Sequence, residues 1–434
     1  MSRSSSTGVA ACGSRRNNPG PVWRAGGPTG RRERKLTVPF SFWGSGGPSR
    51  ASATPRLSRA ASQRSLGPVA SSQAMFEVRA LNAPAPTPVA TLEALLTGPE
   101  PVLALAPMQD ITDLAFWRLL HRYGGPDLYF TEYFRVHAAS VPERWIVEAI
   151  AANPTGRPVI AQLIGNDIPG LVRTARFLQR LPVAGIDLNL GCPAPVVYRK
   201  CAGGGLLRDL PRVDAILRAL RDAVEVKLSV KTRLGFDTAD GFDALLDLLA
   251  AHPLDWVTVH GRTVSEKYRS PVRYDLIARA AVRLPCPVFA NGNLYSAEQA
   301  LRVYRQTGVR GLMIGRGAIG NPWLFAQIRA CGRGEPPPQP TGRDLLAYLH
   351  ALWEATESPD LTERSHAQRI KKHLNFIALG VEPTGAFLDG CRRATTRAEL
   401  LALWAAHLDH AQPLALAPLS LPLGERDLLA GTHC

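Results

Sequence analysis

No stretch of this chain approaches the ~18 consecutive apolar residues that a membrane-spanning helix requires, which excludes an integral helical membrane protein. Cysteine is sparse: Cys12, Cys192, Cys201, Cys286, Cys331, Cys391 and Cys434 are odd in number and scattered over 434 positions. A disulfide-stapled secreted scaffold is short and Cys-dense, and this chain is neither. Cys192 and Cys201 lack a second pair or a nearby histidine that would complete a zinc site, so no metal is expected. A reducing, cytoplasmic compartment is the expectation. Acidic residues are almost missing from positions 1–74, where Glu33 stands alone against 12 Lys and Arg. That segment holds +11 of the formal +15, leaving +4 for everything after it. The basic balance therefore belongs to a tail and is no nucleic-acid footprint of the folded part.

The 1–74 leader is rich in Ser, Arg, Gly and Pro, has no sustained hydrophobic period, and is expected to be disordered. Its composition resembles an organellar transit peptide. It contains no clear amphipathic helix, however, and the favoured expectation is that Met75 is the true start. Residues 75–99 read as a lead-in. From about residue 100, short apolar runs alternate with amphipathic stretches. Strands are expected at 102–106, 128–132, 158–163, 185–190, 226–232, 255–260, 287–291 and 310–315. Each is followed by a helix: 111–123, 143–152, 168–180, 211–223, 240–251, 273–283, 296–306 and 322–330. Eight such units predict an α/β fold, a (β/α)8 TIM barrel over 100–334. A Pro-rich linker over 335–342 follows, then a small C-terminal helical domain over 343–410. Its helices are expected at 343–358, 362–379, with Gly380 as a stop, and 394–408. A loose tail, 411–434, closes the chain.

Barrels of this type carry their chemistry at the carboxyl ends of the strands. On the fifth strand Ser229 and Lys231 alternate with Leu228 and Val230, which directs the lysine into the barrel. A buried ammonium needs an anionic partner to offset its desolvation. Either a bound anionic cofactor or an internal pair with Asp187 would provide one. His260 shares the inward face of the sixth strand with Trp256 and Thr258. Asn291-Gly292-Asn293 and Gly315-Arg316-Gly317 end strands seven and eight, where many barrels bind a phosphate. Cys192 ends strand four; a thiol with an ordinary pKa near ~8.5 stays mostly protonated at neutral pH and is suited to donate a proton. Pro193 and a segment ending in Gly203-Gly204-Gly205 follow it, which predicts a mobile loop.

Taken in order, Ala106-Pro107-Met108, Asp187-Leu188-Asn189-Leu190-Gly191-Cys192-Pro193, Ser229-Val230-Lys231-Thr232-Arg233, Val259-His260-Gly261-Arg262, Ala290-Asn291-Gly292-Asn293 and Met313-Ile314-Gly315-Arg316-Gly317 resemble the tRNA-dihydrouridine synthases. The segment Ala367-Gln368-Arg369-Ile370-Lys371-Lys372 is most similar to the bacterial class C branch. The resemblance implies FMN held by Pro107, Met108, Gln162, Lys231, His260, Asn291, Gly292, Asn293, Gly315 and Arg316. It implies NADPH (or NADH) as reductant, hydride transfer to C6 of a D-loop uracil, and protonation of C5 by Cys192. Class C points to position 16. Glu132 and Asn189 match positions beside the flavin and the flipped base, and Arg369, Lys371 and Lys372 are expected to meet tRNA.

On helix 362–379, Ala367, Ile370, Leu374 and Ile377 form an apolar stripe. Arg364, Gln368, Lys371 and Asn375 lie on an adjoining face, either a solvated helix face or, as the resemblance implies, a surface that meets phosphate. A monomer is expected. The alternatives are a small-molecule FMN oxidoreductase of the dihydroorotate dehydrogenase type and a catalytically silent tRNA-binding protein. The helical domain argues against the first, and intact Cys192, Lys231 and His260 argue against the second.

Overall fold

The computed structural model describes residues 92–418. The 1–74 leader, most of the 75–99 lead-in and the end of the 411–434 tail lie outside the described residues. Nine strands form one parallel sheet: β1 (Val102–Leu105), β2 (Tyr129–Phe130), β3 (Phe134–Val136), β4 (Val159–Gly165), β5 (Gly185–Leu190), β6 (Lys227–Arg233), β7 (Trp256–His260), β8 (Val288–Asn291) and β9 (Gly311–Ile314). The order β1-β9-β8-β7-β6-β5-β4-β2 runs around a ring, and a parallel bridge between Ala104 and Leu128 closes it. Because β2 and β3 both pair with β4, they occupy one position and the ring has eight. The chain builds the expected (β/α)8 barrel.

The expected strand 128–132 is interrupted, and the cause is local. Thr131 Oγ1 accepts the Gln162 N–H at 3.1 Å, a bond that a backbone carbonyl would otherwise take. The chain bulges through Glu132 and Tyr133 and pairs again at Phe134. Such bulges re-aim side chains at functional rims.

The outward faces of the strands, among them Leu163, Leu188, Val230 and Val259, pack beneath the helices. The inward faces at the N-terminal end form a separate apolar floor of Ala104, Phe130, Ile160, Trp256, Phe289 and Met313. Leu92 and Leu96, on the helix Leu92–Thr97, join the floor. Trp256 stacks on Phe289 at 6.1 Å and meets Phe130 edge-on at 6.4 Å. Burying one such ring contributes roughly 1.5–3 kcal/mol. The floor fills the lower half of the barrel and leaves the polar side chains to the upper half.

The first barrel helix begins at Leu114 rather than 111. Asp110 sits at φ +60°, and the Ile111 and Thr112 amides turn back to Met108 O. Asp113 then caps the helix by accepting Phe116 N–H at 3.0 Å. Beyond the barrel, helices Gly342–Thr356, Glu363–Ile377, Ala386–Arg393 and Arg397–Leu408 share their own core. Thr341 with Asp344, and Thr396 with Glu399, form capping boxes that start the first and last of these. The sequence reading missed Ala386–Arg393, in which Gly390 interrupts a short apolar pattern of Phe387, Leu388 and Cys391.

Leu119, Tyr123 and Trp323 of the barrel side join the helical core. Tyr123 meets Trp323 at 5.1 Å and Tyr348 at 5.2 Å, both edge-on. Two ion pairs, Arg369–Asp113 at 2.5 Å and Lys372–Asp110 at 3.2 Å, span the same junction. Partly exposed pairs contribute about 0–1 kcal/mol each, whereas aromatic pairs add roughly 0.5–1.5 kcal/mol beyond the area they bury. The apolar seam therefore holds the two parts together, and the ion pairs fix how they align.

The segment after Cys192 is not the mobile loop that its glycines suggested. It forms a short helix, Pro195–Tyr198, and a 3₁₀ turn, Gly203–Arg208, in which all three glycines are buried. A Cβ on Gly204 would stand 2.6 Å from Val264 Cγ2 and 2.9 Å from Cys192 O, and one on Gly205 would stand 2.5 Å from Tyr198 O. Close packing, not flexibility, requires glycine here. Gly204→Ala is expected to cost about 1–3 kcal/mol by overpacking. Gly241→Ala, with nothing within 4 Å of its Cβ, stays within about 0.5 kcal/mol of wild type. Urea-denaturation midpoints of the two variants test this.

Candidate active site

The polar upper half of the barrel is organised around Asp187 on β5, which has no solvent exposure. Ser229 Oγ on β6 donates to Asp187 Oδ1 at 2.6 Å, and Gln162 Nε2 on β4 donates to Oδ2 at 2.7 Å. Burial pushes the Asp187 carboxyl up to about 6, and the two hydrogen bonds and Lys231 oppose that rise. Gln162 Oε1 in turn accepts Asn189 Nδ2 at 2.8 Å. Asn189 Oδ1 accepts both the Gly191 and Cys192 amides at 2.9 Å. This relay fixes the turn that presents the Cys192 thiol.

Lys231 points into the barrel as its alternation predicted. It does not ion-pair with Asp187, whose oxygens are taken by Ser229 and Gln162. Instead its Nζ donates to Asn291 Oδ1 at 3.0 Å, and Asn291 Nδ2 donates to Met313 O at 2.8 Å. Burial and the charge of Arg233 pull the Lys231 ammonium down to about 8. His260, paired in register with Asn291, is driven well below its ordinary value by burial and by Arg233, Lys231, Arg262 and Arg316. It is a neutral imidazole among four cations.

The cations are held in place by carbonyls, amides and rings. Arg233 donates to Gly191 O at 2.9 Å and to Thr263 O and Lys267 O at 2.8 Å. Asn293 Oδ1 accepts from Arg262 at 3.1 Å and from Arg316 at 2.7 Å. The Tyr268 ring lies 4.6 Å from the Arg316 guanidinium carbon and 5.4 Å from that of Arg233. Gly292 (φ +129°) and Asn293 (φ +48°) both occupy the left-handed region, and Tyr274 OH donates to Gly292 O at 2.7 Å. Such backbone exposes amides at a strand end. On the other wall, Met108 Sδ lies 3.3 Å from where a Gly315 Cβ would be, and Pro107 precedes it at the end of β1.

Cys192 is partly accessible, yet burial raises its thiol pKa. Tyr133 lies beside it, carried by the bulge between β2 and β3. Glu132, on the same bulge, accepts Ile111 N–H at 3.2 Å and Gln109 Nε2 at 3.1 Å. Burial and the neighbouring Asp113 and Asp110 push it up to about 7.

The barrel thus gathers Pro107, Met108, Glu132, Gln162, Asn189, Cys192, Lys231, His260, Asn291, Gly292, Asn293, Gly315 and Arg316 around one mouth. Lys371 does not belong with them as a tRNA-facing residue. It is buried, and its Nζ donates to Arg392 O at 2.9 Å, at the end of the helix that the sequence reading missed. That helix also takes Asn375, whose Oδ1 accepts Arg392 Nε at 3.1 Å. Arg364 and Gln368 remain exposed, while Arg369 and Lys372 face the barrel through their ion pairs. The sequence reading also passed over Arg233, Arg262 and Tyr268 as site residues. Arg233 shares the inward parity of Ser229 and Lys231, a signal that was there to use. Tyr268 lies in an irregular loop and left none.

Residues 104–411 match the dihydrouridine synthase (Dus) family. The chain belongs to that family. With it, the protein is a flavin-dependent oxidoreductase. It is similar to the tRNA-dihydrouridine(16) synthase of Pseudomonas putida, 33% identical over 63% of this chain and 87% of that one. The tRNA-dihydrouridine(16) synthase of Cupriavidus necator is 36% identical over 58% of this chain and 81% of its own length. The tRNA-dihydrouridine synthase B of Pseudomonas putida is 36% identical over 58% and 76%. Among the described residues no helix is long and apolar enough to cross a membrane.

The raised thiol pKa makes a direct prediction. Peptide-level mass spectrometry of iodoacetamide labelling across pH should give Cys192 a midpoint above the ~8.5 of a free thiol. A midpoint below that would mean a thiolate-stabilising site.

Proposed function

We propose that the protein reduces the C5=C6 bond of a tRNA D-loop uridine, position 16, to 5,6-dihydrouridine, with FMN as its cofactor and NADPH (or NADH) as reductant. The observation that carries this reading is the Cys192 thiol, fixed by Asn189 at the mouth of a barrel whose buried cations outnumber their acids. Cations in that setting call for an anionic ligand. The residues suit FMN. Asn291, Gly292, Asn293, Gly315 and Arg316 would hold its phosphate. Pro107, Met108, Gln162, Lys231 and His260 would line its ring system. When bound, FMN supplies a hydride drawn from NADPH to C6 of the uracil.

The chain's own residues supply the rest. Cys192 donates its proton to C5 and is reprotonated from solvent. A thiol whose pKa is raised keeps that proton at neutral pH, as a general acid must. Asn189 orients the thiol through the Cys192 amide and would lie beside the base. Lys231 would contribute a positive charge to an anionic cofactor, and neutral His260 would offer a ring nitrogen without adding charge. A uridine in folded tRNA is stacked, and bringing it to the mouth costs a few kcal/mol of unstacking. The helical region, read as the tRNA-binding domain, would offset that cost through Arg364 and Gln368 and through the exposed edges of Arg369 and Lys372. Position 16 follows the first two relatives' names, and the similarity to a synthase B makes regiospecificity the point to measure.

Two experiments test the proposal. Unmodified tRNA is incubated with the protein, FMN and NADPH, and dihydrouridine is mapped by mass spectrometry. A gain of two mass units at position 16, reduced at least 100-fold in Cys192→Ala, is expected, on the scale of roughly 10²–10⁴ for losing a general acid. NADPH oxidation by a yellow protein with no mass gain would indicate a small-molecule substrate instead. The second experiment follows FMN affinity of the apoprotein with pH. Lys231 is charged below its pKa of about 8, so affinity is flat there and falls as pH rises past it. Lys231→Arg removes that fall, and an unchanged pH profile in this variant would exclude the lysine.

A further inference from the structure

Between the barrel mouth and the helical region lies a cleft of about 470 Å³. Its volume falls in the roughly 300–1,000 Å³ range of small-ligand sites. Glu132 lines it, and its chain neighbour Tyr133 lies beside Cys192, so the cleft borders the bulge that reaches the thiol. Asp110 and Asp113 also line it, and each is already engaged by a cation of the helical region, Lys372 and Arg369. With those two cations paired and Glu132 beside them, the cleft lining carries no net positive charge to attract a phosphate into it. Its chemistry suits an uncharged planar group that makes hydrogen bonds.

A platform for such a group is present. Trp145 lines the cleft and is 54% exposed, whereas Trp117, Trp256, Trp353 and Trp404 are at most 2% exposed. An indole left in water at the rim of a cleft is one that has a partner to gain. It stands on a firm support. Its helix, Arg144–Ala151, buries Ile146, Ala149 and Ile150 in the barrel. The preceding Glu143 accepts Arg135 N–H of β3 at 3.1 Å. Across the cleft, Gln368 and Ser365 are exposed and offer an amide and a hydroxyl.

We propose that this cleft is a second nucleobase site, which takes an unpaired base adjacent to the reduced uridine and stacks it on Trp145. The inference rests on the reading that the substrate is an RNA uridine drawn out of its stack. Extruding that uridine strips its neighbours of a stacking partner, and an exposed aromatic replaces what they lose. Gln368 and Ser365 would then read the edge of the stacked base, which makes the site a determinant of which uridine is chosen.

The test is steady-state kinetics on unmodified tRNA with the full chain. Trp145→Ala should raise KM roughly ten-fold, the scale of a lost base–aromatic stack. It should leave kcat within about two-fold, and Trp145→Phe should stay close to wild type. A tRNA made abasic on one side of the target uridine should lose the same factor with wild type and nothing more with Trp145→Ala, since both changes remove one interaction. An unchanged KM in Trp145→Ala overturns the site. Losses that simply add, for abasic substrates on either side, overturn the nucleobase as its occupant. If wild type makes no dihydrouridine, the parent reading fails, and acrylamide quenching decides the site separately. Protection of the Trp145 signal by tRNA, read as the difference from Trp145→Phe, supports it, and no protection overturns it.

Discussion

The orientation of the catalytic centre depends on one hydrogen-bonded chain through the barrel interior, from Ser229 to Asp187, Gln162, Asn189 and the Cys192 turn. The first three links cross between strands and the last stays within the turn after β5, so the sheet register and the thiol position are set by the same bonds. Asp187 accepts without donating while ionised, which commits Gln162 to present its amide to β5 and its carbonyl to Asn189. Breaking the chain at Asp187 would leave the buried Gln162 amide and Ser229 hydroxyl unmatched, each costing about 1–3 kcal/mol. The apolar floor of Trp256, Phe289 and Phe130 supports this network from below and excludes water from its underside.

Above the chain, the site concentrates positive charge in a place that cannot hydrate it. Lys231, Arg233 and Arg316 are partnered among the described residues by carbonyls, amides and the Tyr268 ring, and Arg262 donates to Asn293, bonds that satisfy donors without adding negative charge. His260 responds by staying neutral. An anion arriving there would gain the attraction of all four, and the pKa of Lys231 would rise in return. Folding and ligand binding are linked through that one ammonium.

Much of this was legible in the sequence, for reasons that particular residues make plain. The two-residue period of Ser229 and Lys231 against Leu228 and Val230 identified the inward face of β6. Strand ends rich in Asn, Gly and Arg marked the mouth. What the sequence concealed depended on side chains acting as backbone. Thr131 replaces a carbonyl and splits a strand, and Asp110 takes a left-handed turn and delays a helix. Lys371 looked like part of a basic face only because the helix that covers it, interrupted by Gly390, was not anticipated. The glycines at 203–205 looked flexible, and only the proximity of Val264 and Tyr198 shows them to be packed.

That packing has a consequence for how the enzyme ages. The segment behind Cys192 is closely packed, and the residue itself is only partly buried. Peroxide and electrophiles attack the thiolate, however, and burial holds Cys192 in its protonated state. The same shift that would suit it to donate a proton thus shields it from oxidation, chemically rather than sterically. A dehydrogenase-like site with an activated cysteine would need a cover to survive in the same position.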